Sequence, residues 1–191
     1  MSFKLKKLAI FASGEGTNAQ CIIDYFNPRS SARVALIVCN NSNAGIIARA
    51  KKTGIPLLLI TKKELEDKVQ FLDTLASYKI DFIALAGFLW LIPSWLTNAF
   101  PDKIVNIHPA LLPNYGGKGM YGANVHKAVI SDKAKESGIS IHLVNEKFDE
   151  GKIIFQAACK ITPGETPESL AEKIHKLEHR HYPVEIEKLL T

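Results

Sequence analysis

The 191-residue sequence predicts an α/β fold: an open, mainly parallel sheet with helices on both faces, ending in a C-terminal antiparallel hairpin and a long helix. Three observations carry this. Short continuous apolar runs recur along the chain, each followed by a segment of helical spacing, which is the grammar of a parallel sheet buried on both faces. A glycine turn separates the first run from its helix, an arrangement that is Rossmann-like. After Pro113 the alternation stops, and two strand-like segments stand next to each other.

Leu8 to Ala12 is the first buried strand, and Thr17 to Phe26 then places Ala19, Ile22, Ile23 and Phe26 at helical spacing. Arg33 to Cys39 is the second strand, with Asn43 as the cap of an Ala/Ile-rich helix that closes at Thr53-Gly54. Leu57 to Ile60 is the third strand, and Lys62 to Tyr78 reads as one charged amphipathic helix. Phe82 to Ala86 is the fourth. The twenty residues from Phe82 to Pro101 carry no charge, but Gly87, Pro93, Ser94, Thr97 and Asn98 break the run into strand, loop and short helix rather than a membrane span. Ile104 to Ile107 is the fifth strand. Asn114 to Gly122 holds four glycines in nine residues and reads as a mobile loop, with a short helix over Ala123 to Ser131. Ile139 to Val144 and Ile153 to Ile161 flank an acidic tip, and Thr166, with Ser169 three residues on, opens a final helix to Leu190. No repeat, linker or low-complexity tract interrupts this order, so residues 1–191 are expected to form one domain.

Composition narrows the function classes. With 47% hydrophobic residues and dispersed charge, the chain is not disordered. Cys21, Cys39 and Cys159 are odd in number and spaced for neither zinc nor redox exchange, so they read as buried thiols of a reducing compartment, and a cytoplasmic location is expected. The net charge of +5 raises nucleic acid as a partner. Its densest basic pieces, Lys4 to Lys7 and Lys51-Lys52, lack interleaved aromatics, and a basic surface equally attracts small anions.

Two motifs carry chemistry. Gly14-Glu-Gly-Thr-Asn-Ala19 lies between strand and helix, where glycines let an anion approach the first-turn amides and the helix dipole. The second strand ends in Cys39-Asn40-Asn41, without the acidic residue a dinucleotide's ribose requires, so a lone phosphate fits better, with Thr17 and Asn18 adding donors. A plain tight turn is the alternative. Glu15 is compatible with an anion only if its side chain turns away. The second motif, Asn106-Ile-His108-Pro109, ends the fifth strand where open parallel sheets place their ligands. Residues two apart on a strand share a side, so Asn106 and His108 face one crevice. An amide donor beside an imidazole suits a reaction that builds negative charge on a carbonyl oxygen, and Asp149 at the hairpin tip is placed to raise the imidazole's pKa. A structural histidine and a solvated turn aspartate are the alternative. No Gly-x-Ser-x-Gly elbow is present, and His175, His179 and His181 lack a zinc motif, so neither covalent catalysis nor a metal is expected.

Taken together, Gly14-x-Gly-Thr-Asn18, Leu85-Ala-Gly-Phe88, Asn106-Ile-His-Pro-Ala-Leu-Leu-Pro113, His142, Phe148-Asp-Glu-Gly151 and Glu178-His-x-x-Tyr-Pro183 resemble the phosphoribosylglycinamide formyltransferase family, the folate-dependent transformylases of purine synthesis. The resemblance runs in order from Leu8 to Leu190. It implies catalytic roles for Asn106, His108 and Asp149, a phosphate loop at Gly16, Thr17 and Asn18, and ribonucleotide contacts at Glu178 and His175. It places the folate pocket along Leu89, Trp90, Leu91 and Ile92 and the backbone from Asn145 to Asp149, with Asn106 and Asp149 shared. The basic partner of the folate glutamate falls on Lys68. Trp90 stands where the family carries arginine, and the loop Tyr115 to Gly122 is longer than usual.

The implied reaction is direct attack of the glycinamide ribonucleotide amine on the formyl group of 10-formyltetrahydrofolate, a co-substrate, through a tetrahedral intermediate. The implied partners are these two small molecules, without nucleic acid or membrane, for a monomer or weak homodimer. A formyltetrahydrofolate hydrolase is the alternative within the chemistry, although it usually carries a regulatory domain before the strand that starts here at Leu8. A tRNA formyltransferase needs a second domain for which this length has no room. A non-catalytic nucleotide-binding module would explain the glycine loop while leaving Asn106, His108 and Asp149 idle.

Overall fold

The computed structural model describes residues 5–27 and 31–190; Lys4 of the first basic cluster lies outside the described residues. Seven strands, β1 (Lys6–Ala12), β2 (Ala32–Cys39), β3 (Leu57–Leu59), β4 (Phe82–Leu85), β5 (Ile104–His108), β6 (Glu136–Leu143) and β7 (Ile153–Lys160), form one sheet in the order β3-β2-β1-β4-β5-β6-β7. The first five are parallel; β6 pairs antiparallel with β5, and β7 with β6. The strand order reverses between β1 and β4, which opens a crevice at their carboxyl ends.

Alternation along β1 shows why the sheet is covered twice. Leu8, Ile10 and Ala12 enter the core under α1 (Thr17–Phe26), α6 (Ala123–Ser131) and α7 (Pro167–Leu190). Ala9 and Phe11 enter the other, with Leu65 of α3 (Lys62–Glu66), Phe71 and Leu75 of α4 (Lys68–Ser77) and Leu96 of α5 (Ser94–Ala99). A strand with no solvent face has no polar alternation, as its sequence shows. Tyr182, fully buried, ties α7 to the sheet by donating from its hydroxyl to the carbonyls of Leu85 (2.7 Å) and Val105 (3.1 Å). The three cysteines are free thiols. Among the described residues, no helix is long and apolar enough to cross a membrane.

Two boundaries differ from expectation. The segment Lys62 to Tyr78 is two helices, because the Asp67 carboxylate accepts from Gln70 N and starts a new helix there; a local cap overrides continuous amphipathic spacing. The helix expected after Asn43 is α2 (Ile46–Thr53), whose N-cap is Gly45, while the Asn43 amide donates to Asn41 Oδ1 in the preceding turn. The expected opening of α7 is present as reciprocal bonds between Thr166 and Ser169.

Candidate active site

The glycine loop expected to hold a phosphate is the turn from β1 to α1. Gly16, the N-cap of α1, has φ 71 and no side-chain cap bond, so the first-turn amides stay open to an anion. The loop is braced from behind: Asn41 Nδ2 donates to Ser13 O at 3.1 Å, and Ser13 Oγ accepts from Leu89 N at 2.9 Å. Glu15 does turn away. Its carboxylate lies against Gly45 at the N-terminus of α2, where the helix dipole favours a negative charge. A Cβ on Gly16 would stand 2.5 Å from Ile46 Cδ1, in a backbone region that side chains disfavour. Gly16→Ala is therefore expected to cost on the order of 3 kcal/mol by strain and overpacking, measured by urea unfolding; an unchanged midpoint would contradict this packing.

At the end of β5, the pairing of Asn106 with His142 and of His108 with Ser140 brings β6 into the site. Asn106 Nδ2 lies 3.1 Å from His142 Nε2 and 3.4 Å from Asp149 Oδ1, while His142 Nδ1 donates to Leu143 O at 2.9 Å. His108 Nε2 donates to Tyr115 O at 2.7 Å, which leaves Nδ1 facing Asp149 Oδ2 at 3.4 Å. Asp149 has φ 57 and accepts at Oδ2 from Gly117 N at 3.0 Å. Gly151 allows this hairpin tip to close down, since a Cβ there would fall 1.7 Å from Leu143 O. The exit of β5 is clamped by Ser140, whose Oγ accepts from Leu112 N and Gln156 Nε2 and donates to Ala110 O, all within 2.8 Å.

Burial outweighs Asp149, which raises the imidazole's pKa as its charge predicts. Burial pushes the His108 imidazole below its ordinary pKa, by more than Asp149 and the Tyr115 carbonyl raise it, and His142 adds to the fall. The ring in the free site is thus shifted toward its neutral form. At 3.4 Å the Asp149 contact is longer than a charge-assisted bond. Burial raises the Asp149 carboxyl, but His142, His108 and the Gly117 amide outweigh it and hold it low. Glu178 goes the other way: it is 6% exposed, and burial pushes it up to about 7 against the opposing bond from Asn18 Nδ2 at 2.9 Å.

A cavity of about 710 Å³ brings together Gly16, Thr17, Asn18, Leu89, Asn106, His108, Asp149, His175 and Glu178. It adjoins a smaller hollow of about 60 Å³ lined by Trp90, Leu91, Ile92 and Asn145, with Asn106 and Asp149 on the shared wall. Trp90, in the place of the expected arginine, ends an edge-to-face aromatic run through Phe88, Phe11 and Phe71 and offers an apolar wall. Lys68 lines neither cavity. It is exposed at the first residue of α4, a helix that packs through Phe71 and Leu75, and stands outside the lining of this crevice. Lys118 and Lys147 line its walls instead. His175 and His179 stack at 6.2 Å, and among the described residues no group of three or more His, Cys, Asp or Glu side chains could hold a metal. His126 and Ser140 were not singled out from the sequence, and His142 had no assigned role. His126 sits among apolar residues at helical spacing, and the two β6 residues depend on the β5–β6 register.

A family model described as formyl transferase matches residues 6–186. The chain is 44% identical over 183 residues to the chloroplastic phosphoribosylglycinamide formyltransferase of Arabidopsis thaliana, covering 93% of this chain and 63% of that protein. The Bacillus subtilis phosphoribosylglycinamide formyltransferase is 38% identical, with 97% and 95% covered. The chain thus spans under two thirds of the plant protein's length and nearly all of the bacterial one. Among solved structures, glycinamide ribonucleotide transformylase 1 from Geobacillus kaustophilus superposes with a TM-score of 0.88 at 38% identity, covering 98% of this chain and 100% of that one.

Proposed function

The chain belongs to the formyl transferase family, and from that premise we propose that it transfers the formyl group of 10-formyltetrahydrofolate to the primary amine of glycinamide ribonucleotide. The observation that carries the reading is one crevice lined both by an open helix N-terminus, Gly16 to Asn18, and by the Asn106, His108 and Asp149 cluster. That pairing suits a substrate that carries both a phosphate and a reacting amine. A folate fits the residues present: Trp90, Leu91 and Ile92 flank the smaller hollow, the segment 144–149 beside it lies outside helix and strand, and both meet the catalytic cluster. When bound, it supplies the activated formyl group.

The chain's own residues then divide the work. Asn106 Nδ2 has two hydrogens: His142 engages one at 3.1 Å, and the other makes only a long bond to Asp149 Oδ1 at 3.4 Å, which an oxygen developing negative charge can replace. His108 takes the proton of the attacking amine at Nδ1, since Nε2 is committed to Tyr115 O, and returns it to the folate nitrogen as the old formyl C–N bond breaks, so that tetrahydrofolate leaves neutral. Asp149 stabilises the imidazolium so formed. The phosphate loop and Glu178 hold the ribonucleotide, and no covalent enzyme intermediate is required.

The test follows the absorbance change as the formyl folate loses its formyl group. Consumption that requires glycinamide ribonucleotide is expected. Consumption without it would mean the hydrolase, and binding of both molecules without turnover would mean a non-catalytic module.

A further inference from the structure

His126 is unexplained by the reaction as described. It sits in the first turns of α6, is 3% exposed, and lines the main cavity, yet among the described residues its Nδ1 has no hydrogen-bond partner. A buried polar nitrogen left unpaired costs free energy unless something else satisfies it. The same cavity holds a second orphan, Asn18 Oδ1, beside the Glu178 carboxyl that Asn18 Nδ2 contacts.

We propose that His126 binds a hydroxyl of the substrate's sugar through Nδ1, in the cavity that Glu178 and Asn18 also line. This rests on the ribonucleotide reading of the site. The residues of both orphan atoms and Glu178 line the same cavity as Gly16, Thr17 and His108, and a substrate held there by its phosphate and its amine places its sugar between those two groups. A polyol matches this lining, because each hydroxyl both donates and accepts. Asn18 Oδ1 can only accept, while an imidazole nitrogen serves in either sense. An anion is the poorer match: burial, with His175 and His108 nearby, keeps the His126 ring below its ordinary pKa and so uncharged. The phosphate has its own open amides at α1.

The test compares KM and kcat for variants on three substrates. In His126→Ala, KM for glycinamide ribonucleotide is expected to rise about tenfold, the worth of one neutral hydrogen bond, with kcat and the KM for formyl folate little changed. On the 2′-deoxy or the 3′-deoxy ribonucleotide, whichever lacks the bound hydroxyl, the variant and the parent converge. His126→Asn, whose side-chain amide places a polar atom near the position of Nδ1, restores KM, and His126→Gln, which reaches further, does not; this pair carries the test if the alanine variant does not fold. An equal penalty on all three substrates, an unchanged KM, or equal behaviour of the Asn and Gln variants would overturn the proposal. Absence of transfer by the unmodified protein would instead overturn the ribonucleotide reading itself.

Discussion

His108→Ala is expected to lower kcat by about 10³-fold, some 4 kcal/mol of barrier, while the dissociation constant for the ribonucleotide stays within about twofold. Two contributions vanish together: the proton acceptor at Nδ1 and the positive charge that then faces the developing oxyanion. Substrate binding survives because the phosphate loop, His175 and Glu178 lie on other elements. The sign of the pH dependence follows from the burial of the ring. A base with a depressed pKa remains competent below its ordinary value of 6.5, so the acid limb that His108 gives the parent's kcat/KM profile lies under that pH and disappears in the variant. Stopped-flow single turnovers and a binding isotherm separate the two effects. Turnover close to the parent's would remove His108 from the chemistry.

Glu178→Gln is expected to stabilise the fold and weaken the substrate complex at once. The carboxyl titrates near 4.5 in a free chain and near 7 in the folded protein, so the folded state binds its proton more tightly. Below about pH 4 both states are protonated and no cost arises. Between those values stability falls as pH rises, and above about pH 8 the full cost of ionising a buried group, about 3 kcal/mol, is borne by the fold. Glutamine is neutral throughout and still accepts from Asn18. The variant should therefore match the parent near pH 4 and exceed it by about 3 kcal/mol near pH 9 in urea unfolding. Its ribonucleotide KM should rise, since one acceptor oxygen facing the sugar is lost. A difference in stability independent of pH would show that Glu178 is not the ionising group.

Much of this was legible in the residues. β1, its glycine turn and α1 were plain because continuous apolar runs and helical spacing are local signals, and Asn106 and His108 were paired by strand geometry alone. Asp67 was not, because a single capping bond decided between one helix and two. Lys68 was assigned from resemblance and belongs to a helix whose buried face, Phe71 and Leu75, leaves it exposed and outside the crevice. His142 and Ser140 depended on which residues of β6 stand opposite β5, a register set across more than thirty positions of chain. The charge of His108 depended on burial, which no sequence pattern encodes.

The clamp at Ser140 and the tip at Asp149 both come from the hairpin, whereas the phosphate loop comes from the first strand and helix. The two capacities thus appear at different times as the chain emerges from the ribosome. Its anion site can be assembled once β1, α1 and the strands beside them have formed. Asn106 and His108 then wait on β6 for the partners His142 and Ser140, on the hairpin tip for Asp149, and on α7 for Glu178. The complete cluster of Asn106, His108 and Asp149 is therefore among the last features the nascent chain acquires.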